Sequence, residues 1–215
     1  MATTAQTIID RTNHILQDRD NVRWSQAELL GWMNEGQLQI IDLQPSAYSK
    51  IRELQLVTGT RQTLPVDAIR LLDVIRNQDG IYNTSVREVA RIDLDTQVPN
   101  WHEHKPHRIV QHYMYDRQQL DVFYVYPPQP EDSGSLGPGI VETLLAVIPP
   151  VLATVNDEIA IKDIYAPPLV NYVLYRAYAK DSEASANIEL KDMYFQQFMA
   201  SLGAQQTANT GGAVQ

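Results

Sequence analysis

The densest run of side chains able to do chemistry is Trp101-His102-Glu103-His104-Lys105-Pro106-His107, with His112 beyond it. On an extended segment His102 and His104 project to the same side, which allows a two-histidine metal site. Zinc sites, however, draw three or four ligands from rigid elements with supporting hydrogen bonds behind them. The chain contains no cysteine, so thiolate ligands, cysteine nucleophiles and disulfides are all excluded. His102, His104 and His107 therefore read first as part of a solvated polar loop, and no metal or cofactor is expected.

Other reactive patterns are missing. There is no G-x-S-x-G elbow to expose a nucleophilic serine, and neither of the glycine-rich phosphate cradles, G-x-x-x-x-G-K-[ST] or G-x-G-x-x-G, occurs. A pair of carboxylates for glycoside hydrolysis would have to be assembled in space from the 26 acidic residues, since no spacing singles one out. Tyr165, Tyr172, Tyr175 and Tyr178 have only Arg176 among them, not the interleaved run of Lys and Arg that turns aromatics into a base-stacking platform. Their helical spacing points to core or subunit interface, as do Trp24 and Trp32. No catalytic residue is expected.

The elements around these residues are legible from periodicity and punctuation. Thr4 to Gln17 places Ile8, Ile9, Ile15 and Leu16 at helical spacing. Ser25-Gln26-Ala27-Glu28 is a capping box, so a second helix begins there, carries Leu29, Trp32, Met33, Leu38, Ile40 and Ile41, and stops before Pro45. From Ile51 the period changes to two, and Thr58-Gly59-Thr60 reads as a hairpin turn. The run Ile69 to Ile75 leads into Asn77-Gln78-Asp79-Gly80, a tight turn. Val86 to Leu94 reads as a strand end running into a short helix. Ile109 to Tyr115 and Leu120 to Tyr126 are strands, the second ended by Pro127 and Pro128, and Gln129 to Gly139 is a loop before the strand Ile140 to Ile148. Helix returns after Pro167 and Pro168 and breaks at Asp181-Ser182. It resumes from Glu183 to Leu202 with Ile188, Leu190, Tyr194, Phe195, Phe198 and Met199, and Gly203 stands where a cap belongs. The remainder, small and polar, is expected to be mobile in the isolated chain.

The fold class that follows is α+β. Residues 1–50 and 160–204 form a helical bundle, residues 51–159 a β-rich, sandwich or barrel-like insertion, and residues 205–215 a flexible tail. At 215 residues, 44% hydrophobic and 20% charged, the chain is long enough and ordinary enough to bury a core. The start lacks the basic-then-apolar pattern of a signal peptide, and nowhere do about 18 apolar residues run together, so no membrane association is expected and synthesis in the cytoplasm is. A net charge of −9 argues against a phosphate-gripping surface. It is compatible with a channel that lets DNA slide past, because negative walls repel the backbone.

In order along the chain stand Trp24-Ser25-x-x-Glu28-Leu29-Leu30 with Asn34-Glu35, then Gln62-Thr63-Leu64-Pro65-x-Asp67-Ala68 followed by Arg70-Leu71-Leu72-Asp73-Val74, and Pro99-x-Trp101. Phe123-x-Val125-Tyr126-Pro127-Pro128 and the run from Leu169 to Glu183, LVNYVLYRAYAKDSE, complete the series. This ordered series resembles the head-to-tail adaptor proteins of tailed bacteriophages, the group that includes head-completion proteins and the tail tubular protein A of short-tailed phages. The resemblance implies a structural protein of the virion neck, made in the host bacterium and assembled as a homo-oligomeric, typically dodecameric ring between the portal protein and the tail nozzle or tube protein. Genomic DNA would pass through it without sequence-specific binding. It also implies that the C-terminal segment reaches the portal. Here that segment comprises Ala204, Gln205, Gln206, Thr207, Ala208, Asn209 and Thr210 and, beyond two glycines and an alanine, Val214 and Gln215. Two other readings stay open at this point: a virion-associated cell-wall hydrolase, and another neck or tail ring component such as a stopper or tail terminator.

Overall fold

The structure is a computed structural model that describes residues 3–78, 83–132, 137–181 and 185–210. It divides into two compact units, one made of residues 1–48 and 149–215, the other of residues 49–148.

The first unit is helical. Helix α1 (Ala5–Leu16) starts where Thr4 accepts from the Thr7 N–H, and ends at Gln17 in the left-handed region. In the following turn the Asp18 carboxylate accepts from the backbone N–H groups of Val22, Arg23 and Trp24 at 2.9 to 3.0 Å. Helix α2 (Gln26–Leu43) begins with the expected capping box in full, Ser25 and Glu28 bonding reciprocally, and stops with only Gln44 between it and Pro45. Helix α4 (Ala166–Lys180) takes Pro167 and Pro168 in its first turn, where their missing N–H groups cost nothing. Helix α5 (Ser185–Thr210) then packs along α4. A Cβ at Gly36 of α2 would lie 2.6 Å from the Leu169 side chain and 2.8 Å from the Tyr172 ring, so glycine sets how closely α2 and α4 approach.

The stretch 149–159, placed by the sequence reading in the β-rich region, groups with these helices. Its backbone polar groups need partners, and α1 and α2 supply them. Leu152 N–H donates to Asn34 Oδ1 at 2.8 Å, and Ala5 and Gln6 N–H donate to the carbonyls of Asp157 and Val155. Val147, not Ile148, is the last residue in a strand.

The second unit holds two sheets. Strands β1 (Ser49–Gln55), β7 (Ile140–Val147) and β3 (Ala68–Asn77) form one, antiparallel, with β7 in the middle. Strands β2 (Gly59–Thr63), β6 (Val122–Gln129), β5 (His112–Tyr115) and the two-residue β4 (Arg87–Glu88) form the other, in that order. Between β4 and β5 lies the short helix α3 (Arg91–Gln97), where a short helix was expected after Val86. The sheets are tied together by tyrosines on β5: Tyr113 donates to Asp73 Oδ1 at 3.0 Å, and the Tyr115 oxygen accepts from Leu71 N–H while donating to the Leu120 carbonyl.

Three expectations need correcting. The segments flanking Thr58-Gly59-Thr60 do not form a hairpin, because β1 pairs with β7 and β2 with β6. The chain changes sheets there, Gly59 taking a φ of 91° while the Gln62 side chain clasps the Val57 N–H and C=O. Pro127 and Pro128 do not end β6, which continues to Gln129. The break in the β2–β6 register falls opposite them, which is where a sheet tolerates proline. Finally, α5 runs through Gly203 to Thr210 without the cap expected there. Asp79 and Gly80 of the expected tight turn lie outside the described residues.

Candidate functional site

The histidine stretch is a mostly exposed loop of the second unit, with His102, Glu103, Lys105, Pro106 and His107 at the surface and His104 half-buried, anchored at its start by Trp101. Trp101 is wholly buried against Leu94 and Met114, and its indole N–H donates to Asp95 Oδ1 at 2.8 Å. Residues Trp101–Glu103 turn as a 3-10 helix, so His102 and His104 do not share a side as they would on extended chain. His102 stacks on the Trp101 indole at 3.6 Å between centroids, with Nδ1 2.8 Å from Thr60 Oγ1 on β2. His104 Nδ1 lies 2.9 Å from the Tyr126 hydroxyl on β6, the His107 ring accepts from the Ile109 N–H, and His112 stacks on Tyr126 from another side. Among the described residues no three His, Asp or Glu side chains converge as a metal set. His102 and His104 thereby tie the loop to β2 and β6, while the His107 bond is local.

The carboxylates tell the same story. A general acid in a hydrolase needs a carboxyl held protonated by burial or by a like charge. The Asp and Glu carboxyls with a resolved shift move the other way. The Trp101 indole N–H holds Asp95 below its ordinary value, Lys180 does so for Glu28, and the Thr154 N–H does so for Asp157. Asp18, although desolvation pushes it up, is pulled below its ordinary value by the N–H groups of Trp24, Val22 and Arg23. All are structural acceptors.

Distinctive residues of the helical unit go into an aromatic seam. Tyr165 and Tyr172 are buried; Tyr172 meets Phe198 edge-on at 5.3 Å, Tyr175 meets Phe195 at 5.1 Å, and Tyr178 stacks flat on Tyr194 at 5.6 Å. Ion pairs border the seam: Arg176 with Glu35, Lys180 with Glu28 and Arg23 with Asp181. Trp24 and Trp32 are core residues, the Arg23 guanidinium lying over the Trp24 ring. The seam uses only part of what α5 carries. Ile188, Phe195 and Met199, read from the sequence as its apolar face, stay about two-fifths exposed, while Phe198 and Leu202 are buried. The signal was present: apolar residues on α5 occupy more than the one stripe that packing on α4 requires.

Of the C-terminal candidates, Ala204, Gln205, Gln206, Thr207, Ala208, Asn209 and Thr210 have helical backbone as the end of α5, and Val214 and Gln215 lie outside the described residues. No helix among the described residues is long and apolar enough to cross a membrane.

The chain thus combines a helical unit and a β-rich unit, each spending its distinctive residues on packing and capping. A family model described as SU10 adaptor protein matches residues 3–215, nearly the whole chain, and the chain belongs to that family of phage adaptor proteins. No curated protein matches it. As an adaptor it is a structural component of the phage virion that associates with other phage structural proteins.

Proposed function

We propose that this chain forms a closed ring in the neck of a tailed phage, joining the portal protein to the tail nozzle or tube and leaving a central passage for genomic DNA, with no catalytic role. The observation that carries this reading is family membership over residues 3–215. The chemistry of the chain supports it, since His102, His104, Asp95 and Asp18 are engaged in holding loops and helix ends. A net charge of −9 suits a passage that DNA slides through without being gripped. In this reading the end of α5, Ala204 to Thr210, and the residues after it to Val214 and Gln215 contact the portal. Each contact is weak alone and effective through the number of copies.

Light scattering and negative-stain microscopy on the purified chain, alone and mixed with its portal protein, test the proposal. The expected result is conversion of small species into a ring bound to portal. No association at any salt concentration would overturn it. Deleting Ala204 to Gln215 tests the portal contact separately: unchanged binding removes that assignment.

A further inference from the structure

Two unpartnered faces of the helical unit have opposite character. On one side, α1 and α4 enclose an open groove of about 630 Å³ lined by Ile15, Pro167 and Val170, with Asp10, Arg11 and His14 at its rim. Ile15 is 41% exposed, and Arg19 stands next to the groove beside Asp10 and His14. Among the described residues neither Arg11 nor Arg19 has an ion-pair partner. On α5, Ile188, Phe195 and Met199 make a stripe about 16 Å long at 1.5 Å per residue. Glu189 and Asp192 flank it. Glu189 has no ion-pair partner among the described residues, and Asp192 meets only the adjacent Lys191. Helices α1 and α5 each pack along α4 and make no comparable packing with one another.

One face is apolar with excess positive charge, the other apolar with excess negative charge. A two-fold contact built on one of these faces alone would set it against itself, Glu189 and Asp192 against their own copies or Arg11 and Arg19 against theirs, and like charges so placed repel. A head-to-tail contact instead sets the two faces against each other, and such contacts close into rings when the rotation between copies permits. DNA is a poor occupant of the α5 stripe, because its phosphates would meet carboxylates.

We propose that the Ile188–Met199 stripe of α5 in one copy seats in the α1–α4 groove of the next, with its carboxylates toward Arg11 and Arg19. This rests on the ring reading above and assigns the surfaces that close it.

The chain has no cysteine, so engineered ones report cleanly. Ile15→Cys and Phe195→Cys are placed together in the full-length chain, assembled with portal and treated with a short bismaleimide. A ladder of covalent multimers, absent from either single variant, is the expected result. As a second test at exposed positions, Arg11→Glu should weaken ring assembly about tenfold, and adding Glu189→Arg in the same chain should recover most of the loss. If rings form but neither the ladder nor the charge rescue appears, or if Phe195→Cys alone cross-links α5 to α5, the assignment is wrong and the ring reading stands. If microscopy shows no ring from the unmodified chain, the ring reading itself fails and this assignment with it.

Discussion

The two units keep their shape by different means. In the β-rich unit, buried polar side chains hold loops that no ladder reaches. Asn77 donates to the carbonyls of Thr84 and Val110 and accepts the Val110 N–H, Gln62 closes the Val57–Gly59 turn, and Gln129 joins the His107 carbonyl to the Gly139 N–H. In the helical unit that device is confined to the connections, where Asp18, Asn34 and Gln37 accept loop N–H groups; the helices satisfy their own backbones, and their side chains make contacts between helices: aromatic rings in the seam, ion pairs beside it, and apolar residues left on the outside. The contrast teaches where rigidity and where association reside. A unit locked by buried hydrogen bonds has few ways to rearrange, whereas a unit with surplus apolar surface is built to meet something.

The contrast can be broken by substitution, beginning with the largest expected effect. Trp101→Ala empties the centre of the α3 and β5 packing and strips Asp95 of its donor, and should cost about 3–5 kcal/mol by chemical denaturation. Asn77→Ala leaves the buried backbone N–H and C=O of Val110 without their side-chain partner, while the Thr84 carbonyl keeps the Asn77 backbone N–H, and should cost about 1–3 kcal/mol. An apolar substitution in the helical seam can repack, so an Asn77→Ala variant as stable as the parent would erase the difference between the units.

Within α2, two glycines give a paired test. Gly36→Ala drives a methyl into Leu169 and Tyr172 and should destabilise by about 1–3 kcal/mol. Gly31→Ala, with open space around it, should stabilise by up to about 1 kcal/mol through helix propensity. Thermal melts of opposite sign are the expected outcome. Equal shifts would mean that Gly36 is not what sets the α2–α4 approach.

The smallest effect per group is electrostatic. Glu35→Gln should change stability by less than about 1 kcal/mol, because its pair with Arg176 is largely solvent-exposed. Acid acts on Asp18, Asp95 and Asp157 in concert. Their folded pKa values lie below the ordinary 3.8, so the stability they contribute is complete above that value. It is lost as pH falls through the lower folded values. A melting temperature that stays level down to pH 3.8 and then declines is expected; a decline already complete above that value would count against these three carboxylates.

How much of this was legible in the sequence depended on how local the determinant was. The box at Ser25 and Glu28, the prolines opening α4 and the β5–β6 pairing across a short loop all lie within a few residues of what they control; α2 and α4 begin where the sequence puts them, and β5 and β6 pair as adjacent strands but start later than Ile109 and Leu120. The partners of β1 and β2 do not. Strand β1 pairs with a strand some 90 residues on, and nothing around Thr58-Gly59-Thr60 states that preference, so a turn signal was read as a hairpin. Trp101 was obscured by polar neighbours whose partners, Thr60 and Tyr126, come from other strands. The surplus apolar stripe of α5 was visible as composition, but only packing shows which residues α4 leaves over.

Helix α5 is 26 residues long and α4 only 15, so α5 extends about 16 Å farther than its partner can accompany it, at 1.5 Å per residue. In mechanical terms it is a strut. The residues from Ala204 to Thr210, helical before any partner arrives, have already surrendered backbone freedom that an unstructured tail would give up on binding, about 1–2 kcal/mol for each residue fixed. In the ring proposed above, many such struts would present their ends at a set height and dock in a single event, without threading loose ends one by one.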